Sequence, residues 1–158
     1  MPFVSQHVSH SHTLRVNAPI ERVFPLFEPL GERAWATGWQ PVMLYPPSGA
    51  ARTGTVFTTD HDGEDTTIWT IAAYDATAGL ITYHRVTPGS RAGIIAIHCA
   101  ATPDGATAAT ITYTFTALSG SGNDFLAGFT AAHYTEEMAL WEAALNHYAL
   151  HGAPLHHA

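Results

Sequence analysis

From Thr107 to Leu118 the chain alternates without a slip, with Ala109, Ile111, Tyr113 and Phe115 on one side and Thr110, Thr112, Thr114 and Thr116 on the other. A period of two is the pitch of a pleated strand, and an apolar face opposite a hydroxyl face calls for a sheet packed on one side and wet on the other. Antiparallel sheets carry that asymmetry, whereas parallel ones are covered on both faces. Directly afterwards Ser119-Gly120-Ser121-Gly122 breaks the strand, and Asn123 or Asp124 offers a helix cap. The stretch from Phe125 to about Leu150 has no proline, a single glycine and many helix formers, which predicts one long helix.

The rest of the chain supplies the other strands. Val8, His10, His12, Leu14 and Val16 share one face of a first strand. Asn17 can cap a helix beginning after it and Pro19 suits the first turn, while Ile20, Val23, Phe24 and Phe27 make an apolar side. Pro25 and Pro29 interrupt that helix, so two short ones are expected, about 19–27 and 29–36. Trp39 to Gly49 carries three prolines and reads as extended or looped, a candidate gate. Thr55–Thr59 and Thr66–Tyr74 flank the turn Asp60-His61-Asp62-Gly63-Glu64-Asp65, and Leu80–Val86 and Arg91–Ala100 flank Thr87-Pro88-Gly89-Ser90. At 158 residues this is one domain, with a core of about 8–150 and a tail at 151–158.

Composition removes several classes of function. With 46 % hydrophobic and 12 % charged residues the chain has apolar surface to bury, which excludes disorder. Thirteen acidic residues against six basic ones, none of them lysine, give a net charge of −7. That leaves no electrostatic footprint for nucleic acid and none for an anionic membrane. Cys99 stands alone, so no internal disulfide forms. The amino-terminal segment lacks a charged and then apolar leader pattern, and a cytoplasmic location is expected.

Asn17-Ala18-Pro19 followed by Val23-Phe24, the strand Gly54-Thr55-Val56-Phe57 and the Trp69 strand ahead of Asp75 form an ordered set. The set ends with Tyr113-x-Phe115-Thr116-Ala117-Leu118-Ser119 before a helix bearing Trp141-Glu142. In that order, over roughly residues 8–150, the chain resembles the START/polyketide cyclase-like (SRPBCC) superfamily. The resemblance implies an α+β helix-grip fold. In it, a curved antiparallel sheet of about six to seven strands wraps a long C-terminal helix, two short helices follow strand 1, and an apolar cavity lies between sheet and helix. It also implies a range of activities: lipid carriage, hormone binding, aromatase and cyclase chemistry, ring-hydroxylase subunits and chaperone activation. A Rieske-type Cys/His set is lacking, so the hydroxylase reading is unsupported.

On a helical wheel with Trp141 at the origin, Tyr134, Thr130, Tyr148, Leu145 and Met138 fall within about 60° of it. Glu137 falls at about −40° and His133 at about −80°, on or beside that stripe. The expectation is that Glu137 projects into the cavity for acid/base work, with His133 one turn earlier and a strand arginine or tyrosine opposite; the alternative is that Glu137 caps an internal hydrogen-bond network or lies at the wet edge of the stripe. Trp35, Trp39, Trp69, Tyr83, Tyr113, Tyr134 and Trp141, with Thr130, are candidate ligand-binding residues, against the plainer role of core packing. Arg85 shares a face with Tyr83 and would anchor a carboxylate or phenolate if that face is internal; the His84 face is the other option.

Other constellations are weak. His133 and Glu137 with His84 and His98 lack a metal motif, the Asp60–Asp65 turn lacks the glutamate of a calcium loop, and Ser119, Ser121 and Cys99 lack the setting of a nucleophile. His7, His10 and His12, and His151, His156 and His157, read as surface and tail. No metal and no cofactor are expected. The leading reading is a protein that binds a small apolar or aromatic molecule in the cavity between sheet and helix; the alternatives are an enzyme of cyclase, dehydratase or hydrolase type using Glu137 with His133, Tyr113 or Arg85, and a ligand-free stress or chaperone-interacting module. Expected partners are the small molecule alone, with no nucleic acid and no membrane, and a homodimer is left open.

Overall fold

Strand β7 (Thr107–Ala117) holds the second place in a seven-stranded antiparallel sheet. Its companions are β1 (His7–Val16), β2 (Val42–Tyr45), β3 (Val56–Thr59), β4 (Thr67–Asp75), β5 (Leu80–Thr87) and β6 (Arg91–Ala101), in the order β1-β7-β6-β5-β4-β3-β2. The structure is a computed structural model and describes residues 2–155. On the wet face, the hydroxyls of Thr110, Thr112 and Thr114 meet those of Thr13, Ser11 and Ser9 at 2.8, 2.8 and 2.9 Å, and Thr116 meets His7 Nδ1 at 2.9 Å. On the packed face Ala109, Ile111 and Phe115 are buried with Leu14 and Val16 of β1 and Ile95 and Ile97 of β6. Register slips between Ile71 and Ala73 in β4, and between Met43 and Tyr45 in β2, are bulges that bend the sheet.

The two short helices expected after β1 are tighter than the sequence suggests. One α-turn, α1 (Ile20–Val23), runs into a 3-10 turn at Phe24–Phe27, and a second 3-10 turn covers Gly31–Ala34. Pro25 lies at the start of the first, where its missing N–H costs nothing but an α-helix cannot continue through it.

The carboxy-terminal helix is broken, which corrects the expectation of one uninterrupted element. Helix α2 (Gly120–Gly128) and helix α3 (Ala131–His151) are separated by Phe129 and Thr130. Thr130 Oγ1 accepts from His133 N at 3.1 Å and starts a new helix, while Phe129 turns its ring into a cluster with Phe115, Phe125 and Tyr134. The cap of α2 is Ser119, not Asn123 or Asp124; Asn123 instead binds the backbone of Val4 and Gln6. Helix α3 runs through His151 and ends on Gly152 in the left-handed region, so the tail begins later than expected. His156 and His157 lie outside the described residues.

Tyr134, Met138 and Leu145 are the buried side of α3, and the helix rests on the concave face of the sheet. This is the helix-grip architecture, α+β, with seven strands. Among the described residues no helix is long and apolar enough to cross a membrane.

Candidate functional site

Between sheet and helices lies a cavity of about 290 Å³. All four tryptophans of the chain line it: Trp35 and Trp39 from the segment after α1, Trp69 from β4 and Trp141 from α3. Tyr83 of β5 and Tyr113 of β7 complete the aromatic wall. Phe57 stacks on Trp69 at 5.5 Å, and Trp39 and Tyr83 meet Trp69 edge-on, so the wall is a mutually braced set of rings. The exposed lining residues Thr37, Gly38, Gln40, Asp60 and His61 mark the side that meets solvent.

Most polar atoms of this wall are already used. Trp35 donates its indole N–H to Leu26 O and Trp39 to Pro29 O, both at 2.7 Å, and Trp69 donates to Thr59 Oγ1 at 2.9 Å. The Tyr83 hydroxyl donates to Phe27 O at 2.7 Å. Buried donors that find partners inside the chain present only their apolar surfaces to a ligand. A short set remains for a ligand: Glu32, Tyr113, Arg85 and the Arg91–Glu64 pair.

Arg85 resolves the open question of strand face. It lines the cavity together with Tyr83, whereas His84 is exposed on the other side of β5. In register, Trp69, Arg85, Gly93 and Phe115 lie across four adjacent strands. A Cβ on Gly93 would stand 2.7 Å from the Phe115 ring and 3.1 Å from Arg85 Cγ, so glycine there is what lets the arginine stem and the ring lie side by side. The guanidinium sits 4.8 Å over the Trp69 ring and 5.5 Å over Phe115. Its Nη2 donates to Thr87 Oγ1 at 2.8 Å, but Nε has no acceptor, and among the described residues no carboxylate pairs with it. Burial, and then Arg91, lower its pKa to about 10, which still leaves it charged at neutral pH.

Arg91 by contrast is paired. Its Nη1 donates to Glu64 Oε2 at 2.6 Å and to Ser90 Oγ at 3.0 Å, and the guanidinium stacks 3.5 Å over Phe125. Hydrogen bonding by Arg91 holds the Glu64 carboxyl below the usual carboxylate range.

Glu32 is the residue sequence reasoning missed. It lies in the second 3-10 turn, is 9 % exposed, lines the cavity, and among the described residues has no ion-pair or hydrogen-bonding partner for its side chain. Burial pushes its pKa well above the ordinary value, so the side chain is favoured as a neutral acid, a hydrogen-bond donor. The Tyr113 hydroxyl also has no partner among the described residues. Burial raises its pKa first, followed by the field of Glu32, with Arg85 acting in the opposite sense. Tyr113 therefore stands within electrostatic reach of both. A neutral acid, a phenol and an unneutralised guanidinium around an aromatic slot can orient a flat molecule and stabilise negative charge on it.

The acid/base pair expected on α3 is elsewhere. Glu137 and His133 do not line the cavity; their side chains are 44 % and 48 % exposed and pair with each other at 3.0 Å on the helix surface. The buried arc of α3 centres on Met138 and Leu145, about 50° from Trp141, which leaves Glu137 at its edge. Replacing Glu137 by Gln should change stability by less than about 0.5 kcal/mol, as for other exposed i,i+4 pairs, and leave occupancy of the cavity unaltered; urea melts and tryptophan fluorescence check both. Thr130 is the cap of α3 and exposed, and Tyr134 is buried core that donates to Ile111 O, so neither reaches the cavity. His10 reaches Phe129 O at 2.8 Å and is structural. His84 and His98 are exposed, and among the described residues no group of three or more His, Cys, Asp or Glu side chains is placed to hold a metal ion. Burial pushes the Cys99 thiol up to about 12, consistent with an inert core residue.

Solved structures with this fold span nearly the whole chain. Norcoclaurine synthase from Thalictrum flavum is 13 % identical with a TM-score of 0.66, over 96 % of this chain and 98 % of that one. A hypothetical protein from Helicobacter pylori is 10 % identical with a TM-score of 0.71, over 89 % and 87 %. An uncharacterised protein from Rhizobium leguminosarum is 18 % identical with a TM-score of 0.65, over 92 % and 95 %. At these identities the likeness is one of fold. No curated protein matches the chain in sequence. The family model described as polyketide cyclase / dehydrase and lipid transport matches residues 6–145, from β1 into α3, and the chain belongs to that family.

Proposed function

We propose that the protein binds a small aromatic molecule bearing an anionic or strongly accepting group, with its ring among the tryptophans and that group on Arg85. The observation that carries this reading is the half-buried Arg85 guanidinium, its Nε shut off from solvent without an acceptor and, among the described residues, no carboxylate paired with it, set in a cavity lined by all four tryptophans. A cation removed from water is costly unless paired, so a ligand anion supplies what the chain does not. At about 290 Å³ the space suits one or two rings rather than a long acyl chain. A norcoclaurine synthase of the same fold has been solved with dopamine and hydroxybenzaldehyde, two compounds of this size class.

Because every tryptophan faces the site, intrinsic fluorescence reports occupancy directly. Benzoate-type acids should quench or shift it and raise the melting midpoint, since a ligand selective for the native state stabilises it. Replacing Arg85 by Met should weaken the acids by about 10- to 100-fold while the matching benzamides bind as before. If no aromatic acid changes either signal, or if acids and amides lose equally in the variant, the reading fails.

A further inference from the structure

A second polar subsite faces the ligand from the opposite chemistry. Resting on the reading above, we infer that Glu32 and Tyr113 act as a pair of donors to one ligand oxygen, and that the natural ligand carries an acidic hydroxyl there, a phenol or an enol. Both side chains line the cavity, and among the described residues neither is engaged by any other group. They come from distant parts of the chain, the 3-10 turn after α1 and the middle of β7. The aromatic donors of the wall are satisfied, Tyr83 on Phe27 and the indoles of Trp35 and Trp39 on Leu26 and Pro29, while Arg85 is the separate cationic subsite. Two unspent donors left in an otherwise satisfied aromatic wall point to an acceptor on the ligand.

A protonated carboxyl and a tyrosine hydroxyl lining one cavity can hold between them an oxygen on which negative charge resides or develops. That separates this subsite from Arg85, which takes a fixed anion. Glu28 is not a competing partner, since it receives the Tyr74 hydroxyl. No bond to the ligand is made or broken in this proposal; it concerns which molecule is held and in which ionisation state.

4-Nitrophenol and nitrobenzene, alike in shape apart from one hydroxyl, test it. The unaltered protein should bind 4-nitrophenol at least about 10-fold more tightly than nitrobenzene, and the absorbance of the bound phenol should move toward the phenolate band. Tyr113→Phe and Glu32→Leu should each reduce that ratio by about 10-fold or more with nitrobenzene affinity retained, Glu32→Gln should reduce it less because an amide still donates, and Arg85→Met should leave it in place. A ratio near one in the unaltered protein overturns the inference. So does a ratio that survives Tyr113→Phe, a change that removes a single oxygen, or one lost only in Arg85→Met. Failure of both probes to bind the unaltered protein would instead sink the aromatic-cavity reading on which this one rests.

Discussion

Replacing Gly31 by Ala should cost about 3 kcal/mol or more in a urea melt and displace Glu32 and Trp35 from the cavity. A Cβ at this position would stand 1.8 Å from Pro25 O and 2.8 Å from Pro25 C, both backbone atoms of the preceding 3-10 turn. Nothing there can swing aside as a flexible side chain would, so one of the two turns must move. The second carries Glu32, and the Trp35 N–H that anchors it binds Leu26 O in the first. Tryptophan emission should therefore shift along with the loss of stability. Gly128, in α2, has no atom within 4 Å of its Cβ position and is the control; Ala there should change stability by less than about 1 kcal/mol. Equal losses at the two positions would show that close packing of the turns does not set the site.

The sheet is legible in the sequence because its signal is local. The alternation in β7 and the Asp-Gly and Pro-Gly turns specify strands by residue type and spacing, and each expected strand lies within a residue or so of its observed span. The break between α2 and α3 is not legible. Gly128 closes α2 and Thr130 caps α3, but a lone glycine and a threonine also occur inside helices, and it is the burial of the Phe129 ring against Phe115, Phe125 and Tyr134, a tertiary contact, that fixes the break here.

In the site, aromatic residues are easier to place from sequence than charged ones. A tryptophan belongs near the interior in most folds, whereas a carboxylate is placed by geometry alone. Glu137 falls within a stripe centred on Trp141, but the stripe's true centre lies toward Met138 and Leu145. Glu32 escapes notice because the pattern over 29–36 reads as a short α-helix. At three residues per turn Glu32 and Trp35 eclipse on one face, so a tryptophan expected in the cavity carries the glutamate with it. Arg85 is legible up to a twofold choice of face, which the register with Trp69 and Gly93 decides.

Glu32→Gln should stabilise the protein increasingly as pH rises, and this is the clearest mark of a carboxyl buried without a cation. Glu32 holds its proton more tightly in the folded protein than in the unfolded chain, because burial penalises the carboxylate. Its contribution is full below the unfolded carboxylate pKa and is lost as pH climbs through the raised folded value, at up to about 1.4 kcal/mol per pH unit. The groups within reach do not rescue the anion. Tyr83 is buried and Tyr113 half-buried, both with pKa values pushed up rather than down, and burial alone acts on Glu32, with no cation offsetting it. The amide keeps the shape without the ionisation, so the variant's stability should stay level over the range in which the parent's declines. Glu64 works in the opposite direction: Arg91 lowers its pKa, so its contribution holds above the unfolded value and disappears as pH falls through the lower one. Denaturant melts from about pH 2 to 9 should thus show a decline above the unfolded carboxylate pKa that Glu32→Gln removes, and an acid decline below it that Glu64→Gln reduces. Parallel curves for the parent and Glu32→Gln would mean that Glu32 is hydrated or paired, and its role as a neutral donor in the cavity would fall with that result.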